Sequence, residues 1–203
     1  MQKLLIATKN KGKFSEIKEV LDGDFELVFL GDLDVSSEDF VEDGETFSEN
    51  AYKKAKYFYD KTGIMTLAED SGIMVDALSG ELGVKTRRWG LGEKAGDLEW
   101  VNYFLERMKD VLPENRGAKF VCCACLIDEK KEVMEYFNGE TFGKISRKLL
   151  APILPGLPLS SCFIPDGMCK SYAEISAIEK NKISHRGKAL LKAKTYLIGL
   201  KGR

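Results

Sequence analysis

The sequence opens with KLLIATKNKGK (residues 3–13), in which a short apolar run gives way to a basic, polar loop. The apolar part, residues 3–8, predicts a strand that is buried on both faces. Apolar residues spaced three and four apart follow the loop and predict a helix. A second helix is marked further along by a capping box at Thr46 and Glu49, whose side chains can each satisfy an orphan backbone donor. Strand, loop and helix in this order favour an α/β fold.

Later segments depart from simple alternation. Two apolar runs joined by residues 129–131 predict a β-hairpin. Helices are also expected over residues 96–108, with Leu98 among the inward-facing residues, and from Ser184 onward. Because strands alternate with helices early and pair as a hairpin later, the predicted class is α/β with a mixed sheet.

Composition limits the kinds of protein this chain can be. It has 203 residues, of which 44% are hydrophobic and 31% charged, which predicts one large domain or two tightly joined lobes over residues 1–203. The formal net charge of -1 argues against a protein that coats nucleic acid. The apolar run at residues 4–7 is too short for a signal peptide or a membrane span. No nucleic-acid or membrane partner is therefore expected.

Cysteine and histidine usage bear on compartment and metal chemistry. Three of the five cysteines fall in the apolar run 120–127, where free cysteine is typical of a buried strand, with redox or metal chemistry as the alternative. Free cysteines predict a reducing, cytoplasmic location. The chain has one histidine, His185, which excludes a multi-histidine metal centre. Any metal would therefore rest mainly on carboxylates.

The loop after the first strand, Thr8 to Lys13, is a candidate phosphate site. A helix N-terminus offers free N–H groups and the positive end of a dipole, and the lysines and Gly12 beside it strengthen the interpretation. The loop is not a Walker A motif, because the first glycine would fall at Ala7 and Phe14 replaces the Ser or Thr. A solvated basic loop explains the same residues.

Two adjacent carboxylates, Glu69 and Asp70, follow the apolar run 64–68, which predicts a strand. The carboxyl ends of strands are where open α/β sheets bind ligands. Successive strand residues point to opposite faces, so one of the two carboxylates should face a given site. The alternative is a plain acidic turn before a further short strand at residues 73–75.

A third group of charged residues is EKNKISHR (residues 179–186). With Ser184 as N-cap, His185 and Arg186 lie in the first turn of the final helix, where positive charge opposes the helix dipole. An anion bound nearby would relieve this conflict. A solvated basic surface turn is the alternative, and the basic stretch 116–119 is also interpreted as surface.

Together these segments resemble the Ham1-like inosine triphosphate pyrophosphatase family. Several motifs in a fixed order over nearly the whole chain are far more specific than any one of them. The matching segments are IATKNKGK (6–13), EDGETFSENA (42–51), LAEDSGI (67–73), VDAL (75–78), FIPDG (163–167), YAEI (172–175) and EKNKISHR (179–186), with Arg88 at the position of a family arginine.

The resemblance implies an elongated, two-lobed α/β protein around a long mixed sheet, with a nucleotide in a central cleft and a homodimer as the usual assembly. It implies hydrolysis of nucleoside triphosphates between the α- and β-phosphates, giving monophosphate and pyrophosphate. Deaminated purine nucleotides such as ITP, dITP and XTP are the expected substrates, and Mg²⁺ is the expected cofactor. Such an enzyme removes non-standard nucleotides from the pool.

The resemblance also implies roles for individual residues. Asp70 is expected to bind Mg²⁺ or to activate the attacking water, and Glu42 or a neighbouring carboxylate is expected as the second metal ligand. Glu49 is expected only to cap its helix. These roles suit phosphoryl transfer, which depends on charge neutralisation and an aligned water. The residues expected to hold substrate are Thr8, Asn10, Gly12, Lys13, Lys54, Ser71, Lys180, His185 and Arg186.

One segment departs from the family pattern. Where the family normally has Gly-Phe-Gly-Tyr-Asp-Pro, this chain has GLPLSS (residues 156–161), so Leu157 replaces the aromatic ring that covers the base and Ser160 replaces the aspartate. Leucine cannot provide base stacking, which is worth roughly 1–3 kcal/mol per base. The first interpretation is an active pyrophosphatase with a weaker or shifted base preference. The alternatives are a nucleotide sensor of the same fold with little turnover, and an unrelated α/β binding module.

Overall fold

The computed structural model describes residues 1–36, 40–92 and 94–201. In these residues a single six-stranded sheet is surrounded by five α-helices. The strands are β1 (Lys3–Ile6), β2 (Glu26–Phe29), β3 (Thr66–Val75), β4 (Gly117–Asp128), β5 (Val133–Ile145) and β6 (Phe163–Pro165). The helices are α1 (Lys11–Leu21), α2 (Phe47–Thr62), α3 (Asp97–Arg107), α4 (Ala177–Ile183) and α5 (His185–Lys201).

The sheet is mixed, with strand order β2-β1-β3-β4-β5-β6. Strand β1 runs parallel to both of its neighbours, β2 and β3. Strand β4 is antiparallel to β3 and to β5, and β6 is antiparallel to β5. The helix-separated strands form the parallel part, and the hairpin β4–β5 forms the antiparallel part. The predicted α/β class with a mixed sheet is confirmed.

Strand β3 differs from its prediction. The sequence predicted a strand that ends before Glu69 and Asp70, with an acidic turn as the alternative for these two residues, and a further short strand at residues 73–75. The structure has one continuous strand over residues 66–75, which includes both carboxylates. The reason is tertiary: β4 pairs with β3 along its whole length, from Thr66↔Ile127 to Val75↔Ala118. These ladder bonds override the local turn preference. Asp70 therefore lies in the middle of the sheet.

Helix α2 begins as predicted at the capping box. The Glu49 backbone N–H donates to Thr46 Oγ1 at 3.1 Å. The Glu49 carboxylate accepts from the N–H of Glu45 at 2.8 Å, one residue before the cap. Gly63 ends the helix with a φ of +63°, a left-handed conformation that glycine adopts without strain.

Two predictions about burial are wrong. Leu98 in α3 is 58% exposed, because the buried stripe of the helix runs through Trp100, Val101 and Phe104 instead. Arg116 is buried rather than on the surface. Its guanidinium donates to the carbonyl oxygens of Met108 (2.5 Å), Ile145 (2.7 Å) and Ser146 (2.8 Å). Burial of Arg116 is possible because these backbone acceptors replace water.

The buried apolar side chains form three clusters. One lies between α1, α5 and one face of the sheet, and a second lies between α2 and the opposite face. A third surrounds α3 at the far ends of β3, β4 and β5. The free thiols of Cys122, Cys123 and Cys125 are buried among the first two clusters, which confirms the core interpretation. Within the described ranges, no helix has the length and apolarity needed to cross a membrane.

Candidate active site

A cavity of about 690 Å³ lies between the loop after β1, the middle of β3, the middle of α2 and the start of α5. Segments that are far apart in sequence thus converge on one place. The predicted site residues that line it are Thr8, Asn10, Lys13, Glu42, Lys54, Asp70, Ser71, Lys180, His185 and Arg186. Gly12 is not among the described residues that line this cavity.

The loop after β1 is ordered by Asn10. Its Oδ1 accepts from the Lys13 N–H at 3.0 Å and so caps helix α1. Its Nδ2 donates to the carbonyl of Gly156 at 3.1 Å. The Asn10 N–H in turn donates to Thr8 Oγ1 at 3.2 Å. Both polar atoms of the Asn10 side chain are therefore engaged by the protein, and its contact with substrate stays a prediction.

Gly12 has a packing role in the structure. A Cβ atom at this position would lie 2.5 Å from the carbonyl oxygen of Pro155. The absence of a side chain therefore lets the segment around Gly156 approach the start of α1 closely. A direct contact between Gly12 and substrate stays a prediction.

Asp70 is buried in the wall of the cavity, on strand β3. Its Oδ2 accepts from Asn50 Nδ2 at 3.0 Å and its Oδ1 accepts from the Ser71 N–H at 3.0 Å. Burial raises the pKa of this carboxyl above its ordinary value, and the positive charges of Lys54 and Lys13 offset only part of that rise. A buried carboxylate with a raised pKa is typical of catalytic groups. Asn50 has no role in the sequence interpretation.

Glu69 points away from Asp70, as strand alternation predicts. Its Oε1 lies 2.8 Å from Lys13 Nζ and 3.6 Å from a nitrogen of Arg186, and Cys122 donates to its Oε2 at 3.5 Å. Burial alone would raise the pKa of Glu69, but Arg186 and Lys13 hold it well below its ordinary range. Glu69 therefore carries a full negative charge that positions two cavity cations.

Lys54 and Glu42 both line the cavity and form an ion pair. Lys54 Nζ also donates to the Glu69 carbonyl at 3.4 Å. Burial raises the pKa of Glu42, but Lys54, together with Lys13 and Arg88, holds it below its ordinary value. Arg88, at the position of the family arginine, donates to the Glu42 carbonyl and so fixes the Glu42 backbone.

Glu16 on α1 is a buried acid that the sequence interpretation missed. Its Oε1 lies 2.5 Å from Lys180 Nζ, and its Oε2 pairs with Arg186. Burial raises the pKa of Glu16, but Arg186 and Lys180 lower it below the ordinary value. The sequence contains a signal for this role: Glu16 lies four residues before Val20 and so shares a helix face with a buried apolar residue, where a charged side chain needs a partner.

His185 and Arg186 occupy the first turn of α5, as predicted. Ser184 Oγ accepts from the Gly187 N–H at 3.0 Å, which confirms its capping role. The His185 ring stacks on Phe120 with centroids 4.5 Å apart and an interplanar angle of 9°. Burial, with Arg186 next in effect, holds the pKa of His185 well below its ordinary value, so the ring is neutral. Because Lys180, His185 and Arg186 are all buried, the surface-turn alternative is wrong.

The altered segment 156–161, which we call the base loop, forms another wall. Leu157, Ser160 and Lys180 all line the cavity. Ser160 Oγ accepts from Lys180 Nζ at 3.0 Å. Leu157 lies over the start of α1, with its Cγ 3.2 Å from where a Gly12 Cβ would be. The wall beside Lys180 is therefore formed by a neutral hydroxyl and an aliphatic side chain.

The two predicted metal ligands fit Mg²⁺ by their chemistry. Asp70 and Glu42 line the same cavity, and the charge of Glu42 raises the pKa of Asp70. Mg²⁺ is usually bound by one or two carboxylates together with substrate phosphates and water. Across residues 1–36, 40–92 and 94–201, no three His, Cys, Asp or Glu side chains are gathered as a metal site. The described residues fit a cation that is shared with bound phosphates.

Comparisons with known proteins agree with this geometry. Residues 4–196 match the model of the Ham1 family. A dITP/XTP pyrophosphatase of Dictyoglomus thermophilum is 37% identical over 195 residues, which cover 96% of this chain and 93% of the relative. A dITP/XTP pyrophosphatase of Corynebacterium efficiens is 38% identical over 199 residues, covering 93% of each chain.

Solved structures point the same way. The structure of a Ham1 protein from Coxiella burnetii superposes with a TM-score of 0.80 at 32% identity, covering 98% of this chain and 100% of that one. A family match over nearly the whole length, relatives above one-third identity and a shared fold agree with one another. This chain belongs to the Ham1 family.

Proposed function

We propose that this protein hydrolyses non-standard purine nucleoside triphosphates, with dITP, XTP and ITP as substrates, to the monophosphate and pyrophosphate. The observation that carries the proposal is that cationic side chains, among them Lys13, Lys54, Lys180 and Arg186, line one cavity with the buried carboxyl of Asp70. Its second support is that similar proteins are named dITP/XTP pyrophosphatases. Cleavage of a phosphoanhydride needs both charge neutralisation and an activated water.

In this proposal Lys13, Lys54 and Arg186 hold the triphosphate, and Asp70 acts on the reacting end. Lys180, which bonds to Ser160, lies at the base end. Thr8, Ser71 and the start of α1 add polar donors around the phosphates. Asp70 either accepts the proton of the attacking water or holds Mg²⁺ together with Glu42. Mg²⁺, when bound, neutralises phosphate charge and orients the triphosphate.

The cavity cations already have protein counterions: Lys13 pairs with Glu69, Lys54 with Glu42, and Lys180 and Arg186 with Glu16. A bare triphosphate would have to compete with these carboxylates. A triphosphate that carries a divalent cation brings less excess negative charge and avoids much of that repulsion. We therefore expect binding of the nucleotide to depend on Mg²⁺.

The base loop is the basis for a shifted base preference. Leu157 offers apolar contact without aromatic stacking, and Ser160 gives Lys180 a neutral partner. Neutral His185 on Phe120 completes this end of the cavity. We expect Lys180 to maintain a preference for purines with an oxygen at position 6. The ratio of kcat/KM for these purines to that for other bases should be smaller than with an aromatic residue at position 157.

A substrate panel tests the proposal directly. Pyrophosphate release should be measured from ITP, dITP, XTP and the four common triphosphates, each with and without Mg²⁺. Turnover is expected with the deaminated purines and should be lost without the metal. Tight nucleotide binding with no turnover of any triphosphate would instead favour the sensor, and absence of nucleotide binding would refute both.

The resemblance also supports a homodimer, and the free cysteines support a cytoplasmic location. For the dimer we expect a mass in solution of twice the 22.7 kDa of one chain, measured by light scattering coupled to size-exclusion chromatography. A monomer at micromolar concentration would contradict the proposed assembly.

A further inference from the structure

Both backbone polar groups of Gly156, at the start of the base loop, form hydrogen bonds with side chains. Its N–H donates to Asp97 Oδ2 at 2.6 Å, and its carbonyl accepts from Asn10 Nδ2 at 3.1 Å. The φ of Gly156 is +74°, and a Cβ here would lie 2.5 Å from Asn10 Oδ1. The loop therefore passes between the phosphate loop on one side and α3 on the other, with no room for a side chain.

The Asp97 carboxylate does not cap its own helix, α3. Gly96 occupies the N-cap of α3 and no side chain caps that end, so Asp97 is the first helical residue with its carboxylate turned to Gly156. Arg87 holds the Asp97 carboxylate in place. Asp97 Oδ1 lies 3.6 Å from Arg87 Nη2, which also donates to the Ala95 carbonyl at 2.5 Å. The Arg87 guanidinium lies 6.0 Å from the centroid of the buried Trp100 ring.

The position of Gly156 decides where the base-facing residues stand. Leu157 follows it directly, and Ser160, which accepts from Lys180, lies four residues on. Both line the cavity, whereas Asp97 does not line it among the described residues. A carboxylate outside the cavity thus fixes the loop that forms its base-facing wall.

We propose that Asp97 is a positioning residue that sets base selectivity by anchoring the base loop through the Gly156 N–H. This inference rests on the proposed function of the cavity. Asp97 holds the base end. Although Gly156 also contacts Asn10, the triphosphate end keeps its own supports, because Lys13 and Lys54 are held by Glu69 and Glu42 and Asn10 Oδ1 caps α1 through the Lys13 N–H. Loss of the anchor should therefore weaken recognition of the base and spare recognition of the phosphates.

The test compares Asp97→Ala with Glu99→Ala. Both acids lie in the first turn of α3, but Glu99 is exposed, whereas Asp97 bonds to the base loop. The measurements are kcat/KM for dITP and dATP, and the inhibition constant of inorganic tripolyphosphate, which probes the phosphate half alone. For Asp97→Ala we expect kcat/KM for dITP to fall by roughly tenfold, as for loss of a charged hydrogen bond, the preference over dATP to shrink, and tripolyphosphate inhibition to stay unchanged.

Glu99→Ala is expected to match the wild type, and Asp97→Asn, which keeps an oxygen acceptor for the Gly156 N–H, should restore most of the selectivity. An unchanged dITP-to-dATP ratio in Asp97→Ala, or a parallel loss of tripolyphosphate inhibition, would overturn the inference. If the wild type hydrolyses no triphosphate, the proposed function fails. The dissociation constants of dITP and tripolyphosphate in the same variants then test the Asp97 role separately.

Discussion

Replacing Asp70 with asparagine should lower kcat for pyrophosphate release by roughly 10²–10⁴-fold, the range for loss of a general base. Both carboxylate oxygens accept hydrogen bonds, from the Ser71 N–H and from Asn50 Nδ2. An amide nitrogen cannot accept, so asparagine loses one of these bonds as well as the negative charge. The two consequences act together on the group that we place nearest the reaction.

The experiment measures steady-state kinetics on dITP at several Mg²⁺ concentrations, with Asp76→Asn as the matched control. Asp76 follows β3 directly, is exposed and does not line the cavity. If Asp70 is a metal ligand, the variant needs more Mg²⁺ for half-maximal rate. If it is the base alone, kcat falls with the Mg²⁺ requirement unchanged. Full activity of Asp70→Asn at saturating Mg²⁺ would refute both roles.

Much of the fold could be predicted because local and tertiary signals agree. The capping residues Thr46 and Ser184 both start helices where the sequence places them. The hairpin of β4 and β5 likewise follows from two apolar runs with a short connection. The strand end that the sequence predicted before Glu69 and Asp70 is wrong for the opposite reason, since long-range pairing with β4 continues β3 through both residues.

The site was predicted less completely, because sequence motifs identify charges but not their partners. The cationic side chains of Lys13, Lys180 and Arg186 were expected at the site and line the cavity. Their counterions Glu16 and Glu69 were not expected, because each pair joins residues far apart in the chain. The burial of Arg116 was missed for the same reason, since its carbonyl acceptors come from two segments, residues 108–111 and 145–146, the second of which is far away in the chain. The nearly equal numbers of acidic and basic residues are consistent with these ion pairs but do not indicate which residues pair.

Replacing Glu16 with glutamine should destabilise the fold by about 3–5 kcal/mol, the usual effect of removing one partner of a buried ion pair. Glu16 is 8% exposed and is shared by Lys180 and Arg186, so the change leaves two buried cations with less compensation. Glu19→Gln is the matched control. It lies one turn further along α1, is exposed and accepts a single hydrogen bond, from Asn181.

The difference in the free energy of unfolding between wild type and Glu16→Gln should depend on pH, which provides a second measurement. Because Arg186 and Lys180 more than offset burial, the pKa of Glu16 in the folded state lies below its unfolded value of about 4.3. Its contribution to the free energy of unfolding is therefore fully present above that pH and is lost as the pH falls through the folded pKa. Urea unfolding of wild type and Glu16→Gln should give a large difference in the free energy of unfolding at pH 7, and this difference should become smaller under acid conditions. A gap that is constant with pH would show that shape, rather than charge, causes the loss.

Anion binding separates a counterion role from a packing role. If Glu16 holds Lys180 and Arg186 in place of phosphate, its removal frees these two cations to bind an added anion. Tripolyphosphate should then raise the melting temperature of Glu16→Gln more than that of the wild type or of Glu19→Gln, since a ligand stabilises the state that binds it better. Equal stabilisation of all three proteins would contradict this. A larger effect in Glu16→Gln would mean that the cavity carboxylates keep the cations ordered and limit their affinity for anions that carry no metal.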